Sequence, residues 1–205
     1  MHWDHIGEPR DFPASIFVVG SGSLALLTGS LPGLRGGHSF FESDLLPENR
    51  TIELSQPSSS SNEVGRAAIH STRGQFDLSR PWQPYRHLPR TLDVFNDGSL
   101  LIVDAPGHLP GHVNVLARVS GTHYIYLGGD ACHDRRLLTG EKDIGEWHDS
   151  EGHVCSIHVD RKGAEETIER IRQLEQEGTE IIFAHDVEWE KNPANASRFF
   201  GARNT

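Results

Sequence analysis

The chain has 205 residues, with 19 Lys and Arg against 29 Asp and Glu, a formal net charge of -10 and 36% hydrophobic residues. That length fits one ordinary domain, the acidic balance argues against a phosphate backbone as the main partner, and no apolar run approaches the roughly 18 residues a membrane-spanning helix needs. Thirteen histidines stand against two cysteines, which makes imidazole the expected metal ligand or general base. Cys132 and Cys155 form no CxxC pair and read as reduced residues of a cytoplasmic protein.

In chain order, Ile16 to Val19 is a β-branched and aromatic run between Pro13 and Gly20-Ser21-Gly22. It predicts a buried strand followed by a short helix over Leu24 to Leu27. Ser30 to Gly37 reads as a loop, and residues 56–62, rich in serine, as a flexible polar surface loop. Beyond the proline-rich Pro81 to Pro89, the segments Thr91 to Phe95 and Leu100 to Val103 flank Asn96-Asp97-Gly98-Ser99. This is a hairpin signal, because Asp-Gly accepts positive φ angles. A second hairpin runs from Val113 to Val119, turns at Ser120-Gly121-Thr122 and returns through Tyr124 to Leu127. Ala164, Ile168, Ile171 and Leu174 recur at helical spacing, with Asp160 as N-cap and Gly178 past the end, and a strand follows over Glu180 to Ala184. Strands interleaved with one long helix predict a single α/β (α+β) domain over residues 1–205.

The residues able to carry chemistry fall at strand ends and in the loops after them, where sites are built on rigid scaffolds. His2, Asp4 and His5 precede the first strand. His112 closes the loop from Asp104, Asp130 follows Gly128-Gly129, and His185 follows the last strand. Imidazole nitrogens and carboxylate oxygens suit zinc and its neighbours, and a carboxylate can bridge two ions. Lacking Cβ atoms, Gly128 and Gly129 let the backbone before Asp130 approach such a site closely. His108 reads as structural or supporting, and His38, His70, His87, His123, His148, His153 and His158 as background.

His2-x-Asp4-His5, Gly111-His112, Gly128-Gly129-Asp130 and Ala184-His185-Asp186 occur in the order of the ligand motifs of the metallo-β-lactamase superfamily. The chain resembles that family over essentially its whole length. The run His-Trp-Asp-His-Ile-Gly-Glu-Pro is more similar to lactonase-type and fungal members than to glyoxalase II. The resemblance implies an αββα sandwich and two zinc ions, the first held by His2 and His112, the second by Asp4, His5 and His185, with Asp130 bridging. It further implies a hydrolase that opens a lactone or cleaves a related small-molecule ester with a metal-bound hydroxide, Asp130 and Asp4 belonging to the catalytic centre. His133 stands where related lactonases often place a tyrosine, which implies substrate contact or protonation of the leaving group. Because Met1 occupies the first variable position of the family's HxHxDH signature, the resemblance implies a chain that starts inside the motif. It would then lack the N-terminal strands and the leading histidine, and its first metal site would be weakened. A truncated non-catalytic metal-binding fragment and a glyoxalase-II-like thioesterase are the alternatives; neither nucleic acid nor membrane is an expected partner.

Overall fold

Phe17–Val19 (β1) runs parallel to Thr51–Glu53 (β2) in a two-stranded sheet, with Phe17 opposite Thr51, and Ser23–Leu27 (α1) follows β1. The computed structural model describes residues 2, 4–31, 34, 38, 41–57 and 76–199, so His70 and residues 58–62 of the serine-rich segment lie outside the described residues. Gln83–Tyr85 (β3), Leu88–Asp93 (β4), Leu100–Asp104 (β5), Val113–Ser120 (β6) and His123–Leu127 (β7) follow as an antiparallel meander. After them come Arg135–Thr139 (α2), the hairpin Glu146–His148 (β8) and Val154–Ser156 (β9), Arg161–Gln176 (α3), Glu180–Ile182 (β10) and Val187–Lys191 (α4). β10 pairs parallel to β7, giving a six-stranded sheet in the order β10-β7-β6-β5-β4-β3. The result is the mixed α/β architecture the sequence predicts.

Alternation sets the faces of this sheet. In β5, Leu101 and Val103 are buried and their neighbours are partly exposed, as the two-residue period of a strand requires. They join Leu116, Tyr126 and the inner stripe of α3, formed by Ala164, Ile168, Ile171 and Leu174, in the main core. A smaller cluster of Leu54, Leu78, Leu92 and Val94 forms a second core. Asp160 caps α3 as expected, its carboxylate accepting the N–H of Gly163 at 3.0 Å. Ile171 and Leu174 are each 0% exposed, and truncating either to alanine would cost about 2–5 kcal/mol.

Both hairpins form at the turns the sequence marks. Asn96 and Gly98 take φ +58° and +69°, and the side chains of Asp93 and Asp97 accept the N–H groups of Gly98 and Ser99. The first strand of that hairpin differs from expectation, since β4 starts at Leu88 inside the proline-rich segment and pairs with β3 across Arg86-His87. Pro84 is tolerated because β3 is the edge strand, where a missing N–H removes no ladder bond that the sheet needs. Strands as short as β2, β8 and β9 carry too little alternation to be read from sequence.

Candidate metal centre

Two neighbouring parallel strands deliver the centre of the site. Gly128 N–H donates to the Ile182 carbonyl at 2.8 Å and Ala184 N–H to the Gly129 carbonyl at 3.0 Å. The ends of β7 and β10 are therefore locked side by side, and Asp130 and His185 emerge together. The glycines are required for this. A Cβ on Gly128 would lie 2.6 Å from the Phe183 ring, and Gly129 holds φ +48°, a region that side-chain-bearing residues avoid. Asn114 on β6, 1% exposed, braces the same turn, donating to the Gly128 carbonyl at 3.0 Å and accepting from the Tyr126 hydroxyl at 2.9 Å.

Asp130 is buried, and its two carboxylate oxygens face different histidines. Oδ2 lies 3.0 Å from His5 Nε2, 3.1 Å from His108 Nε2 and 3.8 Å from His2 Nδ1. Oδ1 lies 3.3 Å from His185 Nε2 and 3.6 Å from His133 Nε2. Asp4 Oδ2 stands 3.3 Å from His5 Nε2 and 3.6 Å from His185 Nε2. Three groups of donors converge: His2, His108 and Asp130; Asp4, His5 and His185; and Asp130, His133 and His185.

Behind these donors the rings continue. His38, 2% exposed, meets His2 Nε2 through its Nδ1 at 2.9 Å and the Ser156 carbonyl through Nε2 at 3.3 Å. His158, also 2% exposed, stands edge-on to His108 and His133, with ring centroids 5.4 and 5.5 Å away. Burial above all, then neighbouring imidazoles, pushes His112 and His158 down to about 3. Burial also takes His133 down to about 4, against the pull of Asp130. Burial alone would raise Asp130, but hydrogen bonds from His108 and His2 and the fields of His108 and His133 outweigh it, so its carboxyl sits well below the usual range. The site is thus an ionised carboxylate ringed by imidazoles of which several are held neutral.

That donor set fits divalent cations. Asp130 Oδ1 is buried with no hydrogen-bond partner among the described residues, an arrangement normally explained by an ion or water. Donors bound tetrahedrally at about 2.1 Å stand about 3.4 Å apart. The contacts of 3.1, 3.2 and 3.8 Å among His108, His2 and Asp130 straddle that spacing, as do those of 3.3 and 3.6 Å that Asp4 makes with His5 and His185.

No family model matches the chain. Among curated proteins, it is 30% identical over 208 residues to the cytochrome P450 monooxygenase mpaDE' of Penicillium brevicompactum, a match spanning 91% of this chain and 21% of that protein. It is 31% identical over 140 residues to the metallo-hydrolase mfmC of Annulohypoxylon moriforme, spanning 67% of this chain and 30% of the relative. The chain thus spans less than a third of the length of either relative. Among solved structures, a mutant of AiiA from B. thuringiensis with N-decanoyl-L-homoserine bound at its active site superposes with a TM-score of 0.57 at 18% identity. That match covers 93% of this chain and 54% of AiiA. The chain has a metallo-β-lactamase fold.

Within this metallo-β-lactamase fold, the sequence expectation and the structure differ at the two histidines of the β5–β6 loop. His112, expected as a donor, belongs to none of the three groups. Its Nδ1–H donates to the Ala105 carbonyl and its Nε2 accepts the N–H of Asp130, both at 3.2 Å, so each ring nitrogen is used by backbone. His108, set aside as supporting, takes the converging position. The other donors expected from sequence, His2, Asp4, His5, Asp130 and His185, come together, and His133 joins them. His38 and His158, read as background, are buried against the site. Only some of the histidines so read sit at the surface against carboxylates: His87 with Glu177, His123 with Glu180 and His153 with Asp149. Glycine precedes both His108 and His112, so local pattern could not separate them, and no sequence signal marks His158.

Arg135 supports the His185 turn. It makes a two-pronged contact with Asp186 at 2.7 and 3.1 Å, donates to the Ile181 carbonyl at 2.8 Å and meets Glu175 at 3.0 Å. Asp186 also caps α4 by accepting the Trp189 N–H at 3.0 Å. A cleft of about 310 Å³ opens beside His133 and His185, walled by Phe183, Arg136 and Val187. A second, of about 250 Å³, opens beside His2, His5 and His108. Among the described residues, no helix is long and apolar enough to cross a membrane.

Proposed function

We propose that the chain is a metal-dependent hydrolase opening a lactone or cleaving a related small-molecule ester. The observation carrying this is Asp130, a buried carboxylate with imidazoles within 3.8 Å on both oxygens, set between the converging donors His2 and His108 on one side and Asp4, His5 and His185 on the other. His2 and His108 would hold the first ion, Asp4, His5 and His185 the second, and Asp130 both; zinc suits the nitrogen and oxygen donors. Such ions supply Lewis acidity towards a carbonyl and a lowered pKa for water, the two things ester hydrolysis at neutral pH needs.

The chain's own groups do the rest. Asp130 stays ionised between the two sets of donors, and the more exposed Asp4 provides the negative oxygen that takes up a proton from attacking water. His133 Nε2, beside Asp130 Oδ1 at the wall of the larger cleft, is placed to hold the substrate carbonyl or to give a proton to the departing alkoxide oxygen. The cleft's 310 Å³ suits a small ring rather than a polymer. The structural likeness to AiiA and the sequence likeness to a metallo-hydrolase support this reading. A lactone panel assayed with zinc-loaded and chelator-stripped protein tests it. Turnover only in the loaded sample is expected, and full zinc content without turnover of any lactone or ester would overturn it.

A further inference from the structure

Three rings in the interior of the site, His108, His133 and His158, carry four buried nitrogens that have no hydrogen-bond partner among the described residues: Nδ1 of His108, Nδ1 of His133, and both Nδ1 and Nε2 of His158. Their centroids lie 5.2, 5.4 and 5.5 Å apart. Two imidazoles joined nitrogen to nitrogen at ordinary hydrogen-bond length have centroids about 5 Å apart, so the three rings are spaced as hydrogen-bonded imidazoles are. Buried polar groups are normally paired, and four orphans on three touching rings point to pairing with one another.

Backbone fixes the central pair. Val159 N–H donates to the His108 carbonyl at 3.1 Å and Asp160 N–H to the Gly107 carbonyl at 3.0 Å, while Thr167 Oγ1 donates to the Pro106 carbonyl at 2.8 Å. The segment carrying His158 and the start of α3 are therefore stitched directly to the loop carrying His108. A neutral imidazole offers one donor and one acceptor, so two bonds suffice for all four nitrogens.

We propose that His158 is a positioning residue that accepts the Nδ1–H of His108 with one nitrogen and donates from the other to Nδ1 of His133, fixing the tautomers of both. This rests on the functional reading above, because His108 carries its proton on Nδ1 when its Nε2 holds a metal. The direction of the chain then follows. His133, accepting at Nδ1, carries its proton on Nε2, the nitrogen 3.6 Å from Asp130 Oδ1. His133 is thereby a hydrogen-bond donor into the cleft and not a further metal ligand, although it stands within a converging group. Outer partners of ligating histidines set their orientation and basicity in this way.

The test pairs H158F, which keeps a ring but no nitrogen, with H158Q, which keeps a donor and an acceptor. Zinc affinity is measured by chelator competition, and ring tautomers by nitrogen-15 NMR of histidine-labelled protein. The expected result is an affinity lowered about 10–100-fold in folded H158F and largely restored in H158Q, with wild-type His133 showing a single Nε2–H tautomer that H158F loses. Wild-type affinity in H158F, or a wild-type His133 protonated on Nδ1, would overturn the proposal. If H158F does not fold, the wild-type tautomer of His133 decides alone. If the wild-type chain binds no zinc, the functional reading fails by itself. The bond between His158 and His133 is still read in the metal-free protein, where an Nε2–H tautomer sustains it and an Nδ1–H tautomer ends it.

Discussion

The Nε2 of His112 accepts the backbone N–H of Asp130 at 3.2 Å, while its Nδ1–H is spent on the Ala105 carbonyl. His112 therefore braces the main chain of the central carboxylate, whereas His108, four residues earlier, aims Nε2 at Asp130 Oδ2. H112A should lose about 1–3 kcal/mol, the cost of unpairing buried polar groups, while keeping its zinc stoichiometry. H108A should lose one zinc per chain. Urea unfolding and elemental analysis of the two variants separate these roles, and equal zinc loss in both would refute the distinction.

The His112 ring also makes stability depend on pH. Its folded value is about 3 against an ordinary 6.5, so between those limits the unfolded state binds a proton that the folded state refuses. Stability of the metal-free chain should therefore fall as pH drops from about 7.5 towards 3, by about 1.6 kcal/mol for this group between 6.5 and 5, and should owe almost nothing to it above about 7.5. Urea midpoints of wild type and H112Q across that range check the slope; identical pH dependence in the two would contradict it.

Gly129 is tied to this ring. At φ +48° a side chain costs about 1–2 kcal/mol, and a Cβ would lie 3.2 Å from His112 Nε2. G129A should thus be destabilised by more than the backbone cost alone and should weaken zinc binding through displacement of Asp130. A thermal melt and a zinc titration of G129A measure both effects, and wild-type zinc affinity would show that the turn tolerates the group.

Arg135 compensates the carboxylate of Asp186, whose side chain is 2% exposed. R135A leaves that charge buried and unpaired, a loss of about 3–5 kcal/mol, and R135K should recover only part of it because an ammonium cannot span both carboxylate oxygens. Denaturation of the two variants tests this, with equal stability of lysine and arginine forms as the contrary result.

Much of this was legible in the sequence, and the residues show where legibility stops. Asp-Gly marked the turn before β5, the period of Ala164, Ile168, Ile171 and Leu174 marked α3, and Gly128-Gly129 marked the approach to Asp130, because each is a local signal with a local cause. The choice between His108 and His112 was not local. Both follow a glycine in one loop, and only the position of the β7 turn decides which ring meets the carboxylate and which meets the main chain. His38 and His158 join the site through contacts 36 and 50 residues away in sequence, with His2 and His108 respectively, and nothing in their own neighbourhoods announces it.

The most direct test of the shared carboxylate is lactone ring opening followed by pH-stat, comparing zinc-loaded wild type with D130N. Asn keeps the shape of Asp130 and removes the charge that both sets of imidazoles face. Turnover by the wild type and a loss of at least about 100-fold in D130N, the scale of removing a group that stabilises developing charge, is the predicted result. Equal rates in the two proteins, or no ring opening by a fully zinc-loaded wild type, would contradict it.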